Sequence, residues 1–224
     1  MTDISALTRL CPPPEKPMTI DWTSVESALG MALPADYRQL ADRYGPGRFN
    51  DYLSLFHPHG VTEFVNLTGL MPGRIRAQLH EQARLGTPPL PHHPDSLFPI
   101  GVTDNGEYLF WVTDSLDAPE QWRIAVNEAR GPHWYTFDGG LTNFLVSVLS
   151  GMTRVPVFPS GLAEQEPSFA PSRPVLYKTS YTPLQPPVDT AAIRTWARAN
   201  GYDVPSRGRI PPEVRRAWED AHQT

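Results

Sequence analysis

Cys11 is the only cysteine in this 224-residue chain. That excludes an intramolecular disulfide and any cysteine-built zinc site. Beside Pro12-Pro13-Pro14 the thiol reads as incidental, not as a nucleophile. No apolar run approaches the ~18 residues of a membrane helix. The start, Met1-Thr2-Asp3-Ile4, has no basic stretch leading into an apolar one, so no secretion signal is expected and the protein is assigned to the cytoplasm. There is no lysine-bearing glycine loop to cradle phosphate, no nucleophile elbow and no HExxH helix. Catalysis and cofactors are therefore not expected. Charge is sparse at 19% of residues, and a net charge of −5 excludes a surface coated in basic side chains.

Proline and tryptophan are plentiful, at 26 and 6 residues. So much proline implies long irregular segments instead of a helical bundle. Residues 1–18 carry four prolines and no periodicity, and read as a flexible leader. Residues 152–188 carry eight and read as a Pro-rich linker, with Phe158, Phe169, Tyr177 and Tyr181 available to lie against the preceding domain.

Between them, residues 19–151 show the mixed signals of an α+β domain. Trp22, Val25 and Leu29, then Leu33, Tyr37, Leu40 and Tyr44, recur every three or four residues, with Gly30 dividing two helices and Gly45-Pro46-Gly47 ending the second. Short strands or irregular segments fit 49–70, and Arg74–Leu85 reads as a helix. Ile100–Val112 is a hairpin about Asp104-Asn105-Gly106, whose residues tolerate positive φ. Strands follow at Trp122–Val126 and His133–Phe137, and a last helix at Leu141–Leu149. The expected architecture is an antiparallel sheet with flanking helices.

Residues 189–224 read as a separate helix-loop-helix. Asp189 suits an N-cap, with Val188 stapling onto Ile193. The first helix runs Thr190–Asn200, with Ala192, Ile193, Trp196 and Ala197 inward, and Gly201 ends it. The second runs from Pro211 to about His222, with Val214, Ala217, Trp218 and Ala221 inward and the two tryptophans supplying most of the core. Six arginines against five carboxylates leave this segment at +1, so the rest of the chain carries −6. Only one end is suited to a polyanion.

The intervening loop contains Ser206-Arg207-Gly208-Arg209. Glycine lets the backbone approach the floor of a DNA minor groove while the flanking guanidiniums extend along it. Adenine N3 and thymine O2 accept hydrogen bonds there, whereas the guanine amino group obstructs. AT-rich grooves are also narrow and strongly negative. Taken alone, the tripeptide reads as a polar, flexible loop with two solvated arginines, and its context reverses that reading. Its context, Ile193-Arg194-x-Trp196-Ala197-Arg198-x-Asn200-Gly201 followed by Arg207-Gly208-Arg209-Ile210-Pro211, resembles the DNA-binding domain of the actinobacterial H-NS-like xenogeneic silencers. The resemblance implies that Arg207 and Arg209 enter the groove, that Gly208 lies on its floor, and that Arg194 touches phosphate. It offers Ser206 and Arg198 as further backbone contacts. Arg215 and Arg216 are equally read as solvated. DNA bridging and filament formation are not implied, because the silencers' N-terminal oligomerisation domain has no counterpart here.

In the first domain, Leu33-Pro34-x-Asp36-Tyr37-Arg38, Tyr44-Gly45-Pro46-Gly47, Thr103-Asp104-Asn105-Gly106-x-x-Leu109-Phe110-Trp111, Trp122 and Phe144-Leu145-x-x-x-Leu149-x-Gly151 are similar to the SUKH superfamily. That similarity implies protein binding without chemistry, as in immunity proteins and adaptors. His57-Pro58-His59 and His92-His93-Pro94-Asp95 supply metal ligands only if their loops meet, and no metal is expected. Of Trp111, Trp122 and Trp134, at least two are assigned to the core, a ligand-binding surface being the alternative. The expected function is a nucleoid-associated or regulatory protein binding AT-rich double-stranded DNA, with a protein partner for the first domain and self-association open. The alternative is an immunity protein against a nuclease toxin, with a secondary DNA-binding tail.

Overall fold

The computed structural model describes residues 4–86, 88–172, 190–202, 204 and 210–222. The chain forms two compact units, residues 1–175 and 176–224. The first is α+β. Helices α1 (Ser5–Leu10), α2 (Trp22–Leu29) and α3 (Ala35–Tyr44) lead into strands β1 (Gly47–Phe49) and β2 (Leu53–Leu55). Then come α4 (Leu70–Leu85), β3 (Leu97–Thr103), β4 (Tyr108–Val112), β5 (Arg123–Asn127), β6 (Trp134–Phe137), α5 (Leu141–Leu149) and β7 (Phe169–Pro171). The sheet order is β6-β5-β4-β3-β2-β1-β7, and every pairing is antiparallel.

Turn chemistry sets this meander. Gly30 ends α2 at φ 69°, in the left-handed region where a Cβ is unfavourable. Asn50 and Asp51, at φ 49° and 48°, both take the positive φ of a tight hairpin, and Tyr52 N–H donates to Phe49 C=O at 3.0 Å. The β3–β4 hairpin turns at Gly106 (φ 95°) as its sequence predicts. Beneath that turn Tyr52 Oη donates to Glu107 Oε2 at 2.8 Å, and Thr103 Oγ1 bonds the same oxygen. Asp104-Asn105 is thus accounted for by the turn.

The central strands are buried on both faces. Phe98, Trp111, Ile124 and Phe137 stand opposite one another across four strands. Tyr37 of α3 meets Trp111 edge-on at 5.0 Å, and Phe144 of α5 meets Phe137 at 5.6 Å. The hydroxyl of fully buried Tyr37 donates to Phe56 C=O at 2.7 Å, so the ring packs without stranding its polar tip. α4 packs against β3 through the part of the unit that buries Ile75 and Leu79. Trp111 and Trp122 are core, and Trp134 is half-buried against it.

Two expectations fail. The segment read as a flexible leader contains α1, packed on α5, with Leu7 and Cys11 at 0% exposure. Tyr44 Oη donates to Cys11 C=O at 2.6 Å, and Met18 N–H to Asp42 C=O at 2.8 Å. Burial pushes the Cys11 thiol up to about 11, which leaves it unreactive at neutral pH. The segment read as linker begins inside the same unit, and Phe158 and Phe169 do lie against the preceding domain as expected. Val155, Phe158 and Leu162 are buried, and β7 adds an edge strand to β1 with Phe169 against Tyr44 and Phe49. Single apolar residues between prolines suffice where each finds a hole in an existing surface. Leu7→Ala should therefore cost about 2–5 kcal/mol in urea unfolding. A change within about 0.5 kcal/mol, typical of surface positions, would restore the leader reading.

Candidate nucleic-acid interface

The second unit is built on α6 (Thr190–Ala199) and α7 (Pro212–His222). Ile193 and Ala197, one turn apart on α6, are buried at 1% and 0% exposure against Val214 of α7 and Val204 of the connection. The turn out of α6 follows from Asn200-Gly201. Gly201 takes φ 80°, its N–H donates to Arg198 C=O at 3.3 Å, and Tyr202 N–H reaches back to Ala197 C=O at 2.9 Å. This double closure satisfies carbonyls that the helix end would leave open. It also stacks Tyr202 on Trp196, 5.7 Å apart and 22° from parallel.

Some assigned core positions differ. Ala192 and Ala221 are exposed, Ala217 is half-buried, and Trp196 and Trp218 are half-buried at the rim. An indole is too large for a core of this size, so the rings flank it, with His222 stacked on Trp218 at 4.6 Å. Val204 was missed, although an apolar residue bracketing a polar loop was the available signal. The proposed cap Asp189 and staple Val188 lie outside the described residues.

Of the DNA-facing candidates, Arg194 is half-buried and Arg198 is exposed, one turn apart along α6. Arg215 and Arg216 are exposed on α7. Ser206, Arg207, Gly208 and Arg209 lie outside the described residues. What is described is their bracket: Val204 on one side is buried in the cluster, and Ile210 on the other packs against it. The connection carrying the motif is thus joined at both ends to the apolar centre of the unit.

The histidine motifs of the first unit carry no comparable site. His57 is buried, accepts from His59 N–H through Nδ1 at 2.9 Å, and lies 3.3 Å from Ala41 C=O through Nε2. Both ring nitrogens are already engaged, so neither offers a metal a lone pair without breaking a contact. His92 Nε2 meets Thr136 Oγ1 at 3.3 Å, while His93 pairs with Asp95. Among the described residues no group of three or more His, Cys, Asp or Glu side chains is placed to hold a metal.

Desolvation pushes His57 down to about 4 from 6.5. A buried neutral histidine binds its proton more readily in the unfolded chain. Its contribution is therefore complete above about pH 6.5 and is lost as pH falls towards 4, by about 3 kcal/mol. Urea titrations at pH 7 and 4.5 should show this fall, and His57→Gln should reduce it. Equal falls in both proteins would refute the assignment.

Residues 185–221 match the family model of the Lsr2 DNA-binding domain. The match spans α6, α7 and the connection between them, and it supports DNA as a partner of this chain. No solved structure matches the chain. Among the described residues no helix is long and apolar enough to cross a membrane.

Proposed function

We propose that this is a non-enzymatic, nucleoid-associated or regulatory protein that reads the minor groove of AT-rich DNA through Arg207-Gly208-Arg209. The observation that carries the reading is the match over 185–221, because the matched segment contains this motif between two helices that share one apolar centre. A guanidinium fits a narrow, negative groove better than an ammonium does. It is planar, weakly hydrated and able to donate along the groove floor. Arg194 and Arg198 are assigned to the phosphate backbone, Ser206 as a further backbone contact.

The first unit we read as a SUKH-like protein-interaction domain. Its motif order and α+β architecture support that reading, as does the number of motif residues, among them Leu33, Tyr37, Trp111 and Trp122, that serve the core and not a reaction centre. The protein then brings a protein partner to AT-rich loci in the nucleoid.

Anisotropy titrations of the full chain against alternating A·T and alternating G·C duplexes test the DNA reading. Preference for A·T, competition by a minor-groove ligand and indifference to major-groove methylation are expected. Equal affinity for the two duplexes would overturn it. With few phosphates engaged, the logarithm of affinity should fall against the logarithm of salt concentration with a slope of about −2 to −4. A slope steeper than about −6 would mean an extended basic footprint instead.

A further inference from the structure

A cavity of about 230 Å³ in the first unit lies where the start of α3, the start of α5 and the 119–122 turn converge. Its lining includes Asp36, Trp111, Glu120, Trp122, Gly140 and Asn143. Trp111, Trp122 and Asp36 are buried, whereas Glu120 and Asn143 are exposed, so the cavity has a sealed floor and an open mouth. The size suits a side-chain head group and falls below that of drug-sized ligand sites.

Its hydrogen-bonding capacity is unbalanced. Asp36, 4% exposed, accepts from Thr142 N–H through Oδ2 at 3.0 Å, while its Oδ1 is buried with no partner among the described residues. Thr142 Oγ1 and Trp111 Nε1 are also buried and unpartnered among them. Glu120 uses Oε1 to accept from Ala35 N–H at 2.7 Å at the start of α3. The cavity thus combines two carboxylates and two indoles, and no Lys, Arg or His is among its lining residues. Buried polar groups left unpaired are costly, and the unpartnered set here is one carboxylate acceptor, one indole donor and one hydroxyl. Burial pushes the Asp36 carboxyl above the ordinary carboxylate range, against the backbone N–H groups of Thr142, Tyr37 and Leu141, which lower it, while the Glu120 charge adds to the rise. A bound cation would supply the absent countercharge.

We propose that this cavity binds a guanidinium group, the head of an arginine side chain presented by a protein partner. Guanidinium is favoured over ammonium because it is planar, stacks on indole, donates to two carboxylates at once and is desolvated at lower cost. The assignment to a protein source rests on the reading of the first unit as an interaction domain. The cavity chemistry does not.

The test follows the tryptophan indole N–H resonances of the full chain, with Trp111 assigned through Trp111→Phe. The probes are N-acetyl-arginine amide, its uncharged isostere N-acetyl-citrulline amide, and a short arginine-containing peptide. Arginine amide should shift the Trp111 and Trp122 signals saturably, and citrulline amide should not. Asp36→Asn should weaken binding by at least about tenfold, the loss expected for a hydrogen bond to a charged group. If that variant unfolds, Glu120→Gln, which keeps the oxygen facing Ala35, should weaken binding about threefold or more. Citrulline amide titrating like arginine amide, or neither moving the two indoles, overturns the proposal. Tighter binding of the peptide than of the amide supports a protein source. Equal binding overturns that source and leaves a small guanidinium ligand. Affinity for A·T duplex should be unchanged in Glu120→Gln, so failure here is separable from failure of the DNA reading.

Discussion

Ile193→Ala is expected to abolish binding of AT-rich DNA by the full chain while leaving the first unit folded. Among the described residues of the second unit four apolar side chains are buried, Ile193, Ala197, Val204 and Val214, with Trp196, Ile210 and Trp218 half-buried around them. Truncating a buried isoleucine to alanine costs about 2–5 kcal/mol. A unit this small seldom holds more than about 3–5 kcal/mol of stability, so the loss consumes most or all of it. Helical order should fall in circular dichroism by the contribution of α6 and α7, and the anisotropy change on A·T duplex should vanish. Ala192→Ser alters the neighbouring exposed position and should do neither. If Ile193→Ala binds DNA within twofold of the parent, the unit's stability does not come from this cluster.

That cluster shows where periodicity was sufficient in this unit and where it failed. The 3.6-residue repeat put Ile193, Ala197 and Val214 inward because helical geometry alone decides those positions. It also put Ala192 and Ala221 inward, although both are exposed. Alanine carries too little apolar surface to mark a face. The tryptophans were assigned to the centre on bulk, whereas a two-helix unit closes around small side chains and leaves large rings partly exposed. Trp196 stacks on Tyr202, and Trp218 stacks on His222. Val204 escaped notice because it belongs to no repeat. Only the turn after Gly201 brings it back.

In the first unit the legible elements were those with local causes. Gly30, Gly106 and the 3.6-residue spacing of Leu33, Tyr37 and Leu40 act within a few residues, and α2, α3, the β3–β4 hairpin and α5 fall close to where they were expected. The β1–β2 hairpin was not recognised, because Asn50-Asp51 lacks the glycine that usually marks two consecutive positive φ angles. The two proline-rich flanks were misjudged for a different reason. Proline lowers the chance of regular structure but does not prevent burial. Leu7, Phe158 and Phe169 are each placed by surfaces made far away in the chain, at α5, Tyr52 and Tyr44. The cavity beside Asp36 was illegible for the same reason: short segments drawn from between Pro34 and Asn143 converge there only after folding. The motif proposed to face DNA, in contrast, is contiguous in sequence, which is why it could be proposed at all.

Arg207→Ala and Arg209→Ala should each cost about 1–3 kcal/mol of affinity for AT-rich duplex, roughly five- to 150-fold. The double variant should lose its preference for A·T over G·C. Both effects follow from the place proposed for the guanidiniums. A group donating to adenine N3 or thymine O2 discriminates against the guanine amino group, and removing it removes discrimination together with affinity. A phosphate contact is indifferent to sequence. Arg198→Ala, on the exposed side of α6, should weaken A·T and G·C binding alike and reduce the salt slope by about one. Arginine-to-lysine exchanges at 207 and 209 sharpen the contrast. They keep the charge and hence most of the salt dependence, yet they lose the planar donor fork and with it the base preference. Gly208→Val should match the double alanine variant in affinity, because a branched side chain lifts the backbone off the groove floor while both arginines remain. Parallel anisotropy titrations on the two duplexes, at two salt concentrations, separate these cases. Should the double alanine variant still favour A·T as strongly as the parent, base reading by this motif is refuted, and the preference must arise from the helices instead.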